Sequence, residues 1–443
     1  EGDSAKLSGV RGVLAAPPHP SAAAPLPPSP ARGEGLKLHL VLACPDHPWT
    51  KATRDAAAVR IAMTVAEAGP GEGRLIEVEH EAGLDSDEPE LRFSEVCGVI
   101  NANLSVGPNP TSAQPLLANA GMSFRGVTLI GKGFVVTPIE ARALGLGKRE
   151  GLEQHIRPYK NGRDLVQNPR AVMAIDLFGL SELEVRQRYP EVYQYLLVKV
   201  KELKDEQGIV IGRDSNRRGS YRNRWWIFGE PRGEQRPSLV HLSRYIATTQ
   251  TARHRMFEFL SRDIIPDQQL IVVASNDPGH LGILSSHIHA QWALRVGGTL
   301  EDRPRYNNTS VFDPFPFPDA SPEQRIRIGD LAEELDATRK AALAEVPRLT
   351  MTEIYNFRER IAAGEQLAGH DLDRATAARA FIVNRLHEQI DAAVAVAYGW
   401  SADLAPAEIV ARLVALNTER KAEEEAGTIR WLRPDYQQPR FGQ

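Results

Sequence analysis

The chain has 443 residues, 42% hydrophobic and 25% charged, the composition of a globular protein with two to four domains. Two cysteines, Cys44 and Cys97, exclude a disulfide framework and a four-thiolate zinc site. No run approaches the roughly 18 apolar residues of a membrane helix, and the first residues lack a secretory layout. These features predict a cytoplasmic protein without membrane contact.

The net charge of −4 excludes a general nucleic-acid binder, but the charge is unevenly placed. Between Arg213 and Arg255 stand ten arginines, no lysine and three acids, a local +7 on a chain otherwise at −11. A confined arginine field on an acidic protein predicts one anionic partner at one surface.

In chain order, residues 1–36 read as a disordered tail of doubtful origin: seven prolines fall between Pro17 and Pro30, among Ala and Ser. From 37 to 108 the pattern is α/β. Leu38–Ala43 has strand length, and Asp55–Ala68 places Ala57, Ile61, Val65 and Ala68 at helical spacing. Arg74–Glu79 alternates as a strand, and Phe93–Val106 leads into an Asn/Pro-rich loop.

From about 120 to 318 the composition turns to Gly, Pro, Arg and aromatics, predicting a mixed α+β region with short strands and many turns. Val127–Ile130 and Phe134–Val136 flank Gly131-Lys132-Gly133 as a hairpin. Ser181–Leu203 is helical, with Pro190 starting or breaking it. Trp225–Phe228, Tyr245–Thr249 and Gln269–Ala274 are candidate strands, and His280–Leu294 a candidate helix. Three prolines in Phe312–Pro318 forbid a central strand there. From Pro322 onwards, Arg325–Leu343, Thr350–Ala363, Leu372–Ala397 and Ala405–Ala426 are amphipathic with short breaks, predicting a C-terminal helical bundle.

Among motifs, Gly69-Pro70-Gly71-Glu72-Gly73 has the look of a cofactor loop in the wrong place. A helix is expected before it and a strand after it, the reverse of what an anion-binding turn needs, so it reads as a plain turn. His280, His287 and His289 lack partners for a metal site. Asp176 with Glu202 and Lys204 loosely imitates a D…E-x-K nuclease, but the spacing is permissive and reads as solvated charge. Asp313-Pro314-Phe315 lacks the second proline of the loop with which amino-methyltransferases hold a target base.

The arginine field carries more. Arg217, Arg218, Arg222 and Arg224 surround Tyr221 and Trp225, and Arg253 and Arg255 continue the series. Guanidinium groups fit phosphates and guanine edges, and aromatics stack on bases. The bland alternative is a solvated surface with its tryptophans in the core. Glu301, Arg303 and Arg305 alternate, so an extended strand would send all three to one face. An acid accepting from cytosine beside arginines donating to guanine suits base readout.

Several stretches resemble one family in collinear order. They are His47–Thr53 with DAAAVRIAMTV, Ile100–Leu104, Ile130–Phe134, and Ile156–Asp164. RYIAT (244–248), HLGILSSHIHAQWAL (280–294), RYNNTSVFDPFPFP (305–318) and IRWLRPDYQ (429–437) follow. Over 37–443 the chain resembles the C-terminal part of type IIG-like, Mme-type adenine-specific DNA methyltransferases of restriction-modification systems.

The resemblance implies that 37–108 is a remnant of a class I methyltransferase α/β domain, 109–318 a target-recognition domain, and 319–443 a helical domain. It implies double-stranded DNA as partner and S-adenosylmethionine as methyl donor to adenine N6. It further implies base readout through Glu301, Arg303 and Arg305, with the arginine field on the DNA backbone. Neither the donor-binding F-x-G-x-G nor the catalytic N-P-P-Y/F occurs in the 443 residues. The expectation is therefore a truncated chain that recognises DNA, binds no donor alone and has no catalytic residue of its own. The alternative is a specificity subunit acting with a separately encoded catalytic chain.

Overall fold

The computed structural model describes residues 38–49, 59–84, 90–102, 104–107, 109–300 and 303–442, with backbone alone at 299, 300 and 303. They form two units, one ending at Ile100 and one beginning at Asn101.

The first unit is a four-stranded sheet of β1 (Leu38–Trp49), β2 (Val59–Ala68), β3 (Gly73–Ala82) and β4 (Glu90–Gly98), in the order β2-β1-β3-β4. β1 and β3 run parallel, and both outer pairings are antiparallel. Among the described residues this unit contains no helix, which corrects the α/β expectation for 37–108. The helical spacing of Ile61 and Val65 competes with a period of two through Val59, Ile61, Met63 and Val65. Strand pairing with β1, Ile61 opposite His47 and Met63 opposite Cys44, selects the second period. Ala43, Cys44 and Leu75 are buried, while Val59, Val65, Phe93 and Val96 are exposed.

In the second unit the strands are β5 (Ser123–Arg125), β6 (Val135–Val136), β7 (Ile156–Lys160), β8 (Val172–Ile175), β9 (Arg244–Thr249), β10 (Glu258–Ser261), β11 (Ile265–Pro266) and β12 (Leu270–Val273). They build two sheets, β10-β9-β12-β5 and β11-β7-β8-β6. The first is wholly antiparallel, and in the second only β11 and β7 run parallel. Short helices α1 (Pro138–Ala143), α2 (Gly162–Val166), α3 (Glu182–Arg188), α4 (Pro190–Leu196) and α5 (Gly219–Asn223) decorate this region. Ser181 and Glu184 close a capping box on α3, and Pro190 opens α4 at its first turn.

The expected helix 280–294 is two helices, α6 (Pro278–Ser285) and α7 (His287–Val296). Extended Ser286 between them caps α7 by accepting from the His289 amide. A two-residue hairpin follows, β13 (Thr299–Leu300) and β14 (Arg303–Pro304). The C-terminal helices are α8 (Pro322–Glu345), α9 (Met351–Ala362), α10 (Gly369–Ala377), α11 (Ala380–Tyr398), α12 (Pro406–Glu425) and α13 (Pro434–Phe441). Arg379, left-handed at φ 57°, breaks the expected helix 372–397 into α10 and α11.

The change to helix at residue 319 is not a break in packing. One core joins Ile246, Phe257, Phe259, Ile271 and Val273 of the first sheet's strands and loops to Leu281, Trp292, Ile328, Leu335, Ile354 and Leu386 of the helices. Side chains of the last helices also bind the segments at both ends of the recognition region. Asn417 donates to the Gln114 and Pro314 carbonyls at 2.9 and 2.7 Å, and Glu424 accepts from the Leu117 and Ala118 amides, both at 2.8 Å. Between these segments, Asn119 bonds the Phe312, Asp313 and Phe315 carbonyls.

Candidate nucleic-acid interface

Arg217, Arg218, Arg222 and Arg224 lie in and around α5, all exposed. No acid occurs between Asp214 and Glu230, so the loop presents four like charges. Arg218 donates to the Tyr221 hydroxyl and Arg222 to the Asn216 carbonyl. Among the described residues the side chains of Arg217 and Arg224 have no hydrogen bond or ion pair, although the Arg224 carbonyl accepts from the Ile227 amide.

A buried guanidinium holds this loop in place. Arg213 is 3% exposed and donates to four carbonyls, those of Leu129 (2.7 Å), Ile130 (2.7 Å), Ile227 (3.1 Å) and Tyr221 (3.2 Å). Burial lowers its pKa to about 10, so it stays charged near neutrality. These bonds also explain two corrected expectations. With the Leu129 and Ile130 carbonyls taken, 127–136 is no hairpin. Lys132–Phe134 is instead a single 3-10 turn, and β6 pairs with β8. Trp225–Phe228 is likewise not a strand: Trp225, Ile227 and Phe228 are all buried, and Arg213 supplies a partner that a ladder would have given.

Trp225 is 2% exposed, edge-on to Tyr193 and Trp226, with its indole N–H donating to Glu182. It has no free face for a base, which corrects its assignment as a stacking residue. The remaining arginines divide by partner. Arg232 pairs with Glu230, Arg244 with Glu333 and Arg253 with Glu359, while Arg236 pairs with Asp176. Arg253, expected on the DNA backbone, thus has its charge matched by an acid of α9. Lys132 is exposed on the 3-10 turn Lys132–Phe134.

Of the expected readout residues, Glu301 lies outside the described residues, and Arg303 is placed by its backbone in β14. Arg305 is partly exposed and makes no side-chain bond among the described residues; its amide donates to Gly298 and its backbone bridges to Thr251. Arg255, expected on the DNA backbone, is turned inward instead. Its guanidinium donates to Thr248 Oγ1 (3.1 Å), the Thr249 carbonyl and the Pro304 carbonyl (3.2 Å), and it lies over the Tyr306 ring.

The other candidates separate. His280 bonds Ser275, His289 bonds Tyr306 and His287 is exposed; among the described residues no three metal-ligating side chains converge. Burial holds His289 neutral, with its pKa lowered to about 3. The Gly69–Gly73 turn joins two strands, and a Cβ at Gly71 or Gly73 would collide with the His39 ring or the Leu40 carbonyl. Those glycines serve close packing on β1. They do not form a cradle that fits S-adenosylmethionine.

Comparison with known proteins decides the class of this region. The family model described as "MmeI, target recognition domain" matches residues 110–319. Residues 110–319 are an MmeI-type target recognition domain. A solved structure of the type IIL restriction-modification enzyme MmeI in complex with DNA is similar at a TM-score of 0.63 and 18% identity. The likeness covers 87% of this chain and 46% of that one, so this chain spans under half the length of the enzyme. No curated protein matches the sequence. No helix among the described residues is long and apolar enough to cross a membrane.

Proposed function

We propose that the chain recognises a short double-stranded DNA site for a restriction-modification enzyme that methylates adenine N6. The observation that carries this reading is the exposed, acid-free arginine loop 217–224, fixed by Arg213 within an MmeI-type recognition domain. Arg217, Arg218, Arg222 and Arg224 contact phosphates, while Glu301, Arg303 and Arg305 read base edges.

Transfer of the methyl group from S-adenosylmethionine belongs, on this reading, to a catalytic part outside these 443 residues, in the same polypeptide or a separate chain. The exposed Val59, Val65, Phe93 and Val96 on the sheet of residues 38–98 support a covering partner there. The test is selection from a randomised duplex pool by the purified chain, repeated over a salt series. Enrichment of one short motif with a negative salt slope supports recognition. Equal retention of all duplexes contradicts it.

A further inference from the structure

Two guanidiniums of the arginine field, Arg213 and Arg255, are directed into the protein and have no carboxylate partner among the described residues. Each bonds backbone carbonyls at the root of a segment expected to face DNA. At Arg255 this has a specific consequence. Its planar fork joins the end of β9, through Thr248 and Thr249, to the Pro304 carbonyl of β14, and its face covers Tyr306. Tyr306 is fully buried, with its hydroxyl bonded to His289 Nε2 at 3.1 Å and its amide to the Gln250 carbonyl at 2.7 Å. Pro304 has no amide hydrogen to contribute to a ladder. Arg255 therefore ties the strand carrying Arg303, and the adjoining Arg305, to the buried sheet.

We propose that Arg255 is a positioning residue for base readout, fixing the height and direction of the 303–305 strand, and makes no contact with DNA. The inference rests on the recognition reading above and assigns Arg255 a different role from Arg217 or Arg224. A lysine keeps the charge but has neither the planar fork nor the stacking face, so Arg255→Lys separates position from charge.

The experiment measures site selection and salt dependence for the full chain, using the randomised duplex pool and then the duplex the unaltered protein selects. In Arg255→Lys, discrimination at the base pairs sensitive to Arg305→Ala falls by about tenfold. Binding to random duplex and the salt slope are unchanged. A neutral variant, Arg255→Met, keeps the same slope, because no phosphate contact is lost. A slope shallower by about one in Arg255→Met, with affinity reduced evenly for all sequences, overturns the proposal and makes Arg255 a phosphate contact. Undiminished discrimination in Arg255→Lys also overturns it.

Thr248→Val covers the case in which both arginine variants fail to fold, since it removes one acceptor of the brace at nearly constant volume. Faster hydrogen exchange at the Arg305 amide together with weaker discrimination is expected, and no change in either overturns the proposal. If the unaltered chain selects no sequence, the recognition reading itself fails. If it selects one and the variants select it equally well, only the role of Arg255 fails.

Discussion

Arg236 and Asp176 meet fork to fork: Nη1 donates to Oδ2 at 2.7 Å and Nη2 to Oδ1 at 3.0 Å, while Arg157 adds a third bond to Oδ2 at 3.1 Å. Asp176 is 3% exposed and sits between two cations. Its carboxylate is occupied in tying β7, through Arg157, to the 232–239 segment, through Arg236, which takes it out of the nuclease arrangement with Glu202 and Lys204. Asp176→Asn should destabilise the fold by about 2–4 kcal/mol, because two half-buried guanidiniums lose their counter-charge. Urea unfolding measures this directly, and an unchanged midpoint would show the pair to be dispensable.

Arg213 is predicted to be more important to the fold than any exposed arginine of its loop. Arg213→Met strands the carbonyls of Ile130 and Ile227, leaves that of Leu129 with only the Gly229 amide, and should cost about 2–4 kcal/mol. Duplex affinity should fall with it as the loop loses its anchor. Denaturant unfolding alongside a binding titration checks both.

Arg217 and Arg224 should behave in the opposite way. Either alanine variant should leave stability within about 0.5 kcal/mol of the parent, since neither side chain has a partner among the described residues. Each should weaken binding evenly across sequences and make the salt slope shallower by about one. Binding isotherms at four salt concentrations decide this.

How much of this was legible in the sequence varies by element. α8, α9 and α12 were readable because Pro322, Thr350 and Pro406 mark their starts and the apolar stripe persists. β9 and β12 were readable as apolar runs. β2 was misread because Ile61 and Val65 satisfy both periods, and only pairing with β1 separates them. In the arginine field the count was legible but the division was not. Which arginine stays in solvent depends on carbonyls distant in sequence, those of Leu129 for Arg213 and Pro304 for Arg255. Trp225 carried no local sign of burial for the same reason.

Asp313 provides a pH signature. Burial raises its carboxyl pKa to about 7, above the ordinary value near 4, and its side chain has no hydrogen bond among the described residues. The folded state therefore keeps this proton where the unfolded chain has lost it, and stability falls as pH rises from about 4 to about 7. Asp313→Asn should abolish that component and stabilise the protein at pH 8 by on the order of 2–4 kcal/mol. His289, with its pKa lowered to about 3, acts in the opposite sense, costing stability as pH falls from 6.5 towards 3. The difference between parent and Asp313→Asn at pH 5 and pH 8 isolates Asp313.

The bonds from Asn417 and Glu424 to the 114–118 and 314 backbone predict that the recognition domain depends on the C-terminal helices. A chain ending at Asp319 should lose cooperative unfolding and be digested rapidly by protease. A sharp thermal transition in that fragment would show 110–319 to be self-sufficient.

The most direct test of the central claim is sequence selection by the purified chain from a randomised duplex pool, followed by affinity for the selected duplex over a salt series. The account predicts enrichment of one short motif, and a log affinity that falls linearly with log salt. Equal recovery of all sequences, or no retention of duplex at low salt, would contradict it.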